Sequence, residues 1–369
     1  MAHSKNRPDT APLLLEPDTR NASHEVWLRL ATFLSLRSPN TQDTYRRVLA
    51  EWCQFLNSQI GTSSAASAVL KAQDLDAIRY RAWLEKRPGE KPRTQRQTSA
   101  TQQTALSSER VRRSKKKDGL EHTLSNATIA KKFAALRRMY KVLIAADLGL
   151  RINPFDTDRV PAPPKDSGRK RPTEMLDYKL VQRVIETPDA ATPKGRRDRA
   201  ILAILFGAGL RRSEVIGLRL GDIRKTQRGT HYLYLRATKA KKDAEQAVPS
   251  WALKPLLEWR SERQAMGAKE ADYLFNAFTG RGGTKATREP ISPTSLYLDF
   301  KRYCLAAGVK GFVSPHSARA TAITKLLDQG LNHRDVRTFS RHASVQMVEA
   351  YDKRRTSVDE SPAKDLEFD

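Results

Sequence analysis

Ser314-Pro315-His316-Ser317-Ala318-Arg319-Ala320-Thr321-Ala322-Ile323-Thr324-Lys325-Leu326-Leu327-Asp328-Gln329-Gly330 carries the punctuation of one complete helix. Ser314 suits the N-cap. Pro315 suits the first helical position, where no backbone N–H is needed, and Gly330 suits the left-handed residue just past the end. Ala320, Ala322, Ile323, Leu326 and Leu327 supply its apolar positions. His316 and Arg319 stand three apart and share a face of the first turn, where unpaired backbone N–H groups also favour an anion. The pair forms a cradle for a phosphate. A His and an Arg at this spacing also arise by chance, so the pair alone does not decide function.

Upstream, Leu205-Phe206-Gly207-Ala208-Gly209-Leu210-Arg211-Arg212-Ser213-Glu214 ends an apolar helix at glycines, and Ser213 reads as the cap of the next one. Arg211 sits in that joint. There it can clamp a phosphate through two N–H groups, or pair structurally with a carboxylate such as Glu214. Downstream, Ser340-Arg341-His342-Ala343-Ser344 precedes Val345, Met347, Val348 and Tyr351. Ser344 is expected to cap a short helix bearing Tyr351 near its end. A lone Tyr at a helix end is ordinarily core or surface filler. Between these segments, His231 to Ala237 and Gln246 to Val248 read as the strands of a hairpin, joined through Thr238-Lys239-Ala240-Lys241-Lys242-Asp243.

Composition sets the wider frame. A chain of 369 residues exceeds the size at which one core stops growing, so two domains are expected. Lys and Arg number 67 against 41 Asp and Glu, a net charge of +26. Such an excess suits a polyanion, and nucleic acid above all, because neutralising backbone phosphates releases counterions. A membrane surface is disfavoured, since no long basic amphipathic helix or lipidation motif is visible. The longest apolar run, Ile201 to Leu210, is too short to span a bilayer, and Met1 to Arg20 lacks a signal-peptide core. A cytoplasmic, nucleoid-associated protein is expected. Cys53 and Cys304 lie far apart among apolar residues, which predicts buried free thiols rather than a disulfide or a metal site.

The predicted organisation has five parts. Residues 1–23 form a flexible tail. Residues 24–150 form a helical domain, with helices over Glu25 to Leu36, Thr41 to Gln59, Leu75 to Lys86 and Asn126 to Asp147. Tyr45, Val48, Leu49, Trp52, Phe55 and Leu56 repeat at the spacing of one buried helix face. An insert, 86–122, is expected to be disordered. Its first stretch, Lys86 to Lys117, holds 11 basic and 2 acidic residues (11 − 2 = +9) and no apolar periodicity, so it reads either as a solvated linker or as a loop that orders on phosphates. Residues 151–172, with five prolines, form a linker. Residues 173–355 form a mainly helical second domain with a small sheet, and 356–369 a tail. That tail ends in Leu366-Glu367-Phe368, for which docking on a neighbouring copy and fraying are both open.

Taken in order, Arg211, a hairpin Lys, His316-x-x-Arg319, His342 and Tyr351 resemble the catalytic set of the tyrosine recombinases, the phage integrase family. The resemblance covers about 173 to 355. The spacings of 26 residues from His316 to His342 and 9 from His342 to Tyr351 are similar to the family's. The N-terminal segment is similar to the family's core-binding domain in position and helix content. Arg341 departs from the pattern, standing where many members have Gly. Three hairpin lysines compete for one role, and Lys239 is favoured over Lys241 and Lys242 because it closes the strand pattern.

The resemblance implies a mainly α fold with a small antiparallel sheet and a helical core-binding domain. It also implies site-specific recombination through a 3′-phosphotyrosyl link at Tyr351. His316 would take the phenol's proton, Arg211, Arg319 and His342 would hold the phosphate oxygens, and Lys239 would protonate the leaving oxygen. The implied partners are double-stranded DNA with specific sites and a homotetramer on that DNA, with no membrane. Accessory DNA-bending proteins are an open option, and phage, transposon, plasmid and chromosomal roles stay open, a mobile genetic element among them. No cofactor or metal is implied. Two rivals are a type IB topoisomerase, which shares the tyrosine chemistry, and a non-catalytic DNA-binding regulator.

Overall fold

The computed structural model describes residues 22–87, 124–161, 163, 175–236, 242–280 and 284–352. The chain divides into two compact units between Gly168 and Arg169. The basic insert beyond Arg87, the tail 356–369, most of the tail 1–23 and part of the linker lie outside the described residues, as do Lys239 and Lys241. Lys86 and Arg87, expected in the disordered insert, are ordered: Lys86 ends a helix, and Arg87 caps it and pairs with Glu51.

The first unit contains α1 (Ala22–Ser35), α2 (Pro39–Phe55), α3 (Ser63–Lys71), α4 (Asp74–Lys86) and α5 (Asn126–Ala145). The repeat noted along α2 buries Val48, Leu49 and Trp52, with Tyr45, Phe55 and Leu56 packed at the margin. Trp52 meets Tyr80 at 4.9 Å and Phe155 at 5.0 Å, both edge-on, the arrangement that aromatic quadrupoles favour. Its indole N–H donates to the Tyr140 hydroxyl at 2.9 Å, which donates on to the Val69 carbonyl at 3.0 Å. The buried polar atoms are thereby satisfied. Two boundaries differ from expectation. α2 stops at Phe55, not Gln59, because Asn57 turns left-handed at φ +53°. α3 was not expected, since its small residues give no strong apolar period; Thr62 starts it by accepting from the Ala65 N–H at 3.1 Å.

The second unit opens with α6 (Tyr178–Glu186) and α7 (Pro193–Gly207). From Ala200 to Phe206 every residue of α7 is buried, so it forms the central rod of this core. α8 (Arg212–Gly217) follows, then an antiparallel sheet ordered β1 (Ile223–Lys225), β2 (His231–Leu235), β3 (Ala244–Ala247). Leu233 sits opposite both Ile223 and Gln246. Helix α9 (Ser250–Ala265) and a second antiparallel pair, β4 (Asn276–Thr279) with β5 (Lys285–Pro290), come next. The sequence reading assigned neither. α10 (Pro293–Ala306), α11 (Pro315–Asp328), α12 (His333–Ser340) and α13 (Gln346–Glu349) complete the unit.

The fold is mainly helical with small antiparallel sheets. Cys53 and Cys304 are buried free thiols, and burial pushes both up to about 12. Among the described residues no helix is long and apolar enough to cross a membrane. A small separate cluster of Ile323, Leu327, Val336 and Val348, with Phe339 and Tyr351 against it, joins α11, α12 and α13. The candidate site is built on that cluster.

Candidate active site

Gly209 makes the joint that delivers Arg211. Its φ of +56° lies in the left-handed region, and a Cβ there would meet the Phe339 ring at 2.9 Å. Leu210 then drops into the core, and Arg211 arrives at the N-cap of α8. The cap is therefore Arg211, and Ser213, expected there, lies inside the helix. The reason is Glu214, which reaches back to accept the Arg211 backbone N–H at 2.8 Å, half of a capping box. The Arg211 guanidinium donates to Glu214 at 2.8 Å and to the Arg341 carbonyl at 3.2 Å. The carboxylate pairing considered from sequence is thus present, while the side chain keeps 22% exposure toward solvent.

α11 begins as its punctuation predicts. Ser314 occupies the N-cap, with its backbone N–H donating to Ser317 Oγ at 3.1 Å, and Gly330 lies past the end at φ +87°. One turn in, Arg319 is fully buried. One Nη donates to the Gly209 carbonyl at 2.5 Å and the other to the Ser340 carbonyl. Its Nε has no partner among the described residues. Burial, then the charges of Arg211 and Arg341, bring its pKa down to about 10, so it remains a cation at neutral pH.

α12 ends at Ser340, and Arg341 turns left-handed at φ +52°. This turn aims His342 back over the site. His342 Nδ1 lies 3.0 Å from Ser340 Oγ. Burial first, then Arg319, Arg211, His316 and Arg341, lowers the His342 pKa to about 4, leaving the ring neutral near pH 7. Val345, not Ser344, caps α13, and Tyr351 follows the helix rather than riding on it. The Tyr351 and His342 rings stack at 5.8 Å, 14° from parallel. The Tyr351 hydroxyl is 3.4 Å from His316 Nε2. Burial raises the Tyr351 pKa, against a downward pull from Arg319 and Arg211.

Five of the six sequence-derived residues, Arg211, His316, Arg319, His342 and Tyr351, therefore gather around one phenol. The sixth, Lys239, lies outside the described residues. Several residues were not read from the sequence as part of the site. Glu214 is shared by two arginines, Arg341 reaches Gln246 on β3, and Asp352 binds His333 Nε2 at 2.9 Å beside the Tyr. The Arg211–Glu214 pairing is local and open to sequence reading, whereas the links of Arg341 and Asp352 join residues distant in the chain, so local spacing holds little trace of them.

A half-buried phenol beside two imidazoles and a cluster of arginines is an arrangement suited to phosphate chemistry. The phage integrase family model matches residues 174–357. The tyrosine recombinase XerC 2 of Ralstonia nicotianae is 31% identical over 59% of this chain and 58% of its own length. The tyrosine recombinase XerC of Myxococcus xanthus is 30% identical over 61% of this chain and 71% of its own. In fold, the chain is similar to the Tn1549 transposon integrase in complex with transposon right end DNA. That likeness has a TM-score of 0.57 at 17% identity, over 93% of this chain and 98% of that one. The chain belongs to the phage integrase family: it is a tyrosine recombinase, an enzyme of DNA strand cleavage and rejoining in site-specific recombination.

Proposed function

We propose that Tyr351 is the nucleophile of this reaction, and that 24–150 holds duplex DNA while 173–355 performs the chemistry. The observation that carries the reading is the 3.4 Å approach of the Tyr351 hydroxyl to His316 Nε2. A phenol is a weak nucleophile at neutral pH, so a base must draw off its proton as it attacks. His316 takes that proton. A bond forms between the tyrosyl oxygen and phosphorus, and the bond to the 5′-oxygen breaks. Lys239 protonates the departing 5′-hydroxyl. Arg211, Arg319 and His342 donate to the non-bridging oxygens, where charge grows most in the transition state. The 5′-hydroxyl of a partner strand then reverses the step on the phosphotyrosyl link.

Strand exchange between two specific sites joins four strands and asks for four copies of the chain on DNA. A topoisomerase would relax any plasmid as a monomer. The test is a nicked suicide duplex, selected from a random-sequence library by covalent capture on the unaltered chain. Tyr351→Phe removes one oxygen and little packing. It should bind that duplex normally and form no covalent complex; an adduct that persists in the variant refutes the assignment.

A further inference from the structure

Arg341 occupies a backbone position that disfavours a side chain, φ +52° and ψ +42°. Residues other than Gly stay there when the surrounding structure over-determines them. The side chain, 11% exposed, shows what does so. One Nη donates to Glu214 Oε2 at 2.8 Å. The other donates to Gln246 Oε1 on β3 and to the Phe339 carbonyl at 3.3 Å.

Glu214 is therefore divided between two guanidiniums. Its Oε1 accepts from the Arg211 side chain, and its Oε2 from Arg341 and the Arg211 backbone. A carboxylate bound to Arg211 alone would compete with a phosphate for the same planar fork of donors. A second cation on that carboxylate weakens the competition. Two arginines against one carboxylate leave positive charge over, and Arg211 is the more exposed of the two, 22% against 11%. The Arg341 carbonyl also accepts from Arg211 at 3.2 Å, and the next residue along the chain is His342.

We infer that Arg341 is a positioning residue for strand cleavage. It serves as a counter-ion that occupies Glu214 so that Arg211 can turn to the scissile phosphate, and it anchors the His342 turn to β3 through Gln246. It touches no reacting atom. The inference rests on the roles proposed above for Tyr351 and Arg211.

Arg341→Gly tests it, because Gly adopts this φ without strain, a gain that offsets part of the loss of the buried pair with Glu214. On the captured nicked duplex, single-turnover cleavage at saturating protein should fall by at least about tenfold at a temperature where the variant remains fully folded. Adding Glu214→Gln to Arg341→Gly removes the unopposed charge but keeps an acceptor for the Arg211 N–H, so it should restore much of the rate. Arg341→Lys should fall between Gly and the parent. Parent-like cleavage by Arg341→Gly overturns the inference, as does a loss confined to temperatures at which the variant unfolds, or one that Glu214→Gln leaves unchanged. If the unaltered chain forms no covalent complex on any library duplex, the functional reading fails instead.

Discussion

Tyr351 and His342 lie with their rings 5.8 Å apart and 14° from parallel, so the nucleophile of the proposed reaction rests against a neutral imidazole. Its hydroxyl meets a second imidazole, that of His316, at 3.4 Å. The stack places His342 at the face of the phenol and leaves His316 at its reacting oxygen. The two histidines are thereby separated by role: one beside the proton that leaves, the other beside the surrounding cations.

The protonation of His342 sets a pH dependence. In the folded chain its pKa lies near 4, against 6.5 for the free side chain, because burial and the charges of Arg319 and Arg211 disfavour imidazolium. Between those values the unfolded chain binds more protons. The stability associated with a neutral His342 is therefore complete above about 6.5 and is lost as pH falls toward 4. The melting temperature of the DNA-free protein should drop between pH 7 and pH 4.5, and His342→Asn should reduce that drop. An identical drop in the variant would assign the effect to other groups.

Gly209 allows a test of the joint. Alanine there must hold φ +56° and place a methyl 2.9 Å from the Phe339 ring. The backbone cost alone is about 1–2 kcal/mol, and displacing the ring adds to it. The Gly209 carbonyl also accepts from Arg319 at 2.5 Å, so a shift of the joint should move a side chain proposed to hold the phosphate. Gly209→Ala should lower the denaturant midpoint and slow cleavage at saturating protein. A stable variant that cleaves at the parent rate would show that the joint tolerates a side chain.

Much of this was legible because the decisive signals are local. Ser314, Pro315 and Gly330 bound α11, and the repeat through Val48, Leu49 and Trp52 marks a buried helix face. The candidate site residues follow in order within one unit, so His316, Arg319, His342 and Tyr351 are readable together as a set. Other features left no local trace. α3 is built on Ala and Ser, and α9 has Pro255 within it, which blurs a helical pattern. The cap of α8 went to Arg211 because a carboxylate three residues later outcompeted the hydroxyl of Ser213. The hub of Glu214, Gln246 and Arg341 spans more than a hundred residues and exists only once α8, β3 and the end of α12 meet.

The leaving-group acid provides the remaining prediction. In sequence, Lys239 comes first of the three hairpin lysines after β2, in Arg236-Ala237-Thr238-Lys239, whereas Lys241 and Lys242 come just before Asp243 and β3. A cation beside the 5′-oxygen can give up its proton as the bond to phosphorus breaks, and nearby positive charge lowers its pKa toward that task. Lys239→Ala should slow cleavage of an ordinary duplex by about a hundredfold or more, the usual scale for losing a general acid. Lys241→Ala and Lys242→Ala should act mainly on DNA affinity. A duplex with sulfur in place of the bridging 5′-oxygen separates these effects, since a thiolate leaves without being protonated. Cleavage of that substrate by Lys239→Ala should return close to the parent rate, and no comparable recovery is expected for the other two. If the sulfur substrate instead rescues Lys241→Ala or Lys242→Ala, the acid lies on the other side of the hairpin, and the reading that places Lys239 at the end of the β2 strand pattern is wrong.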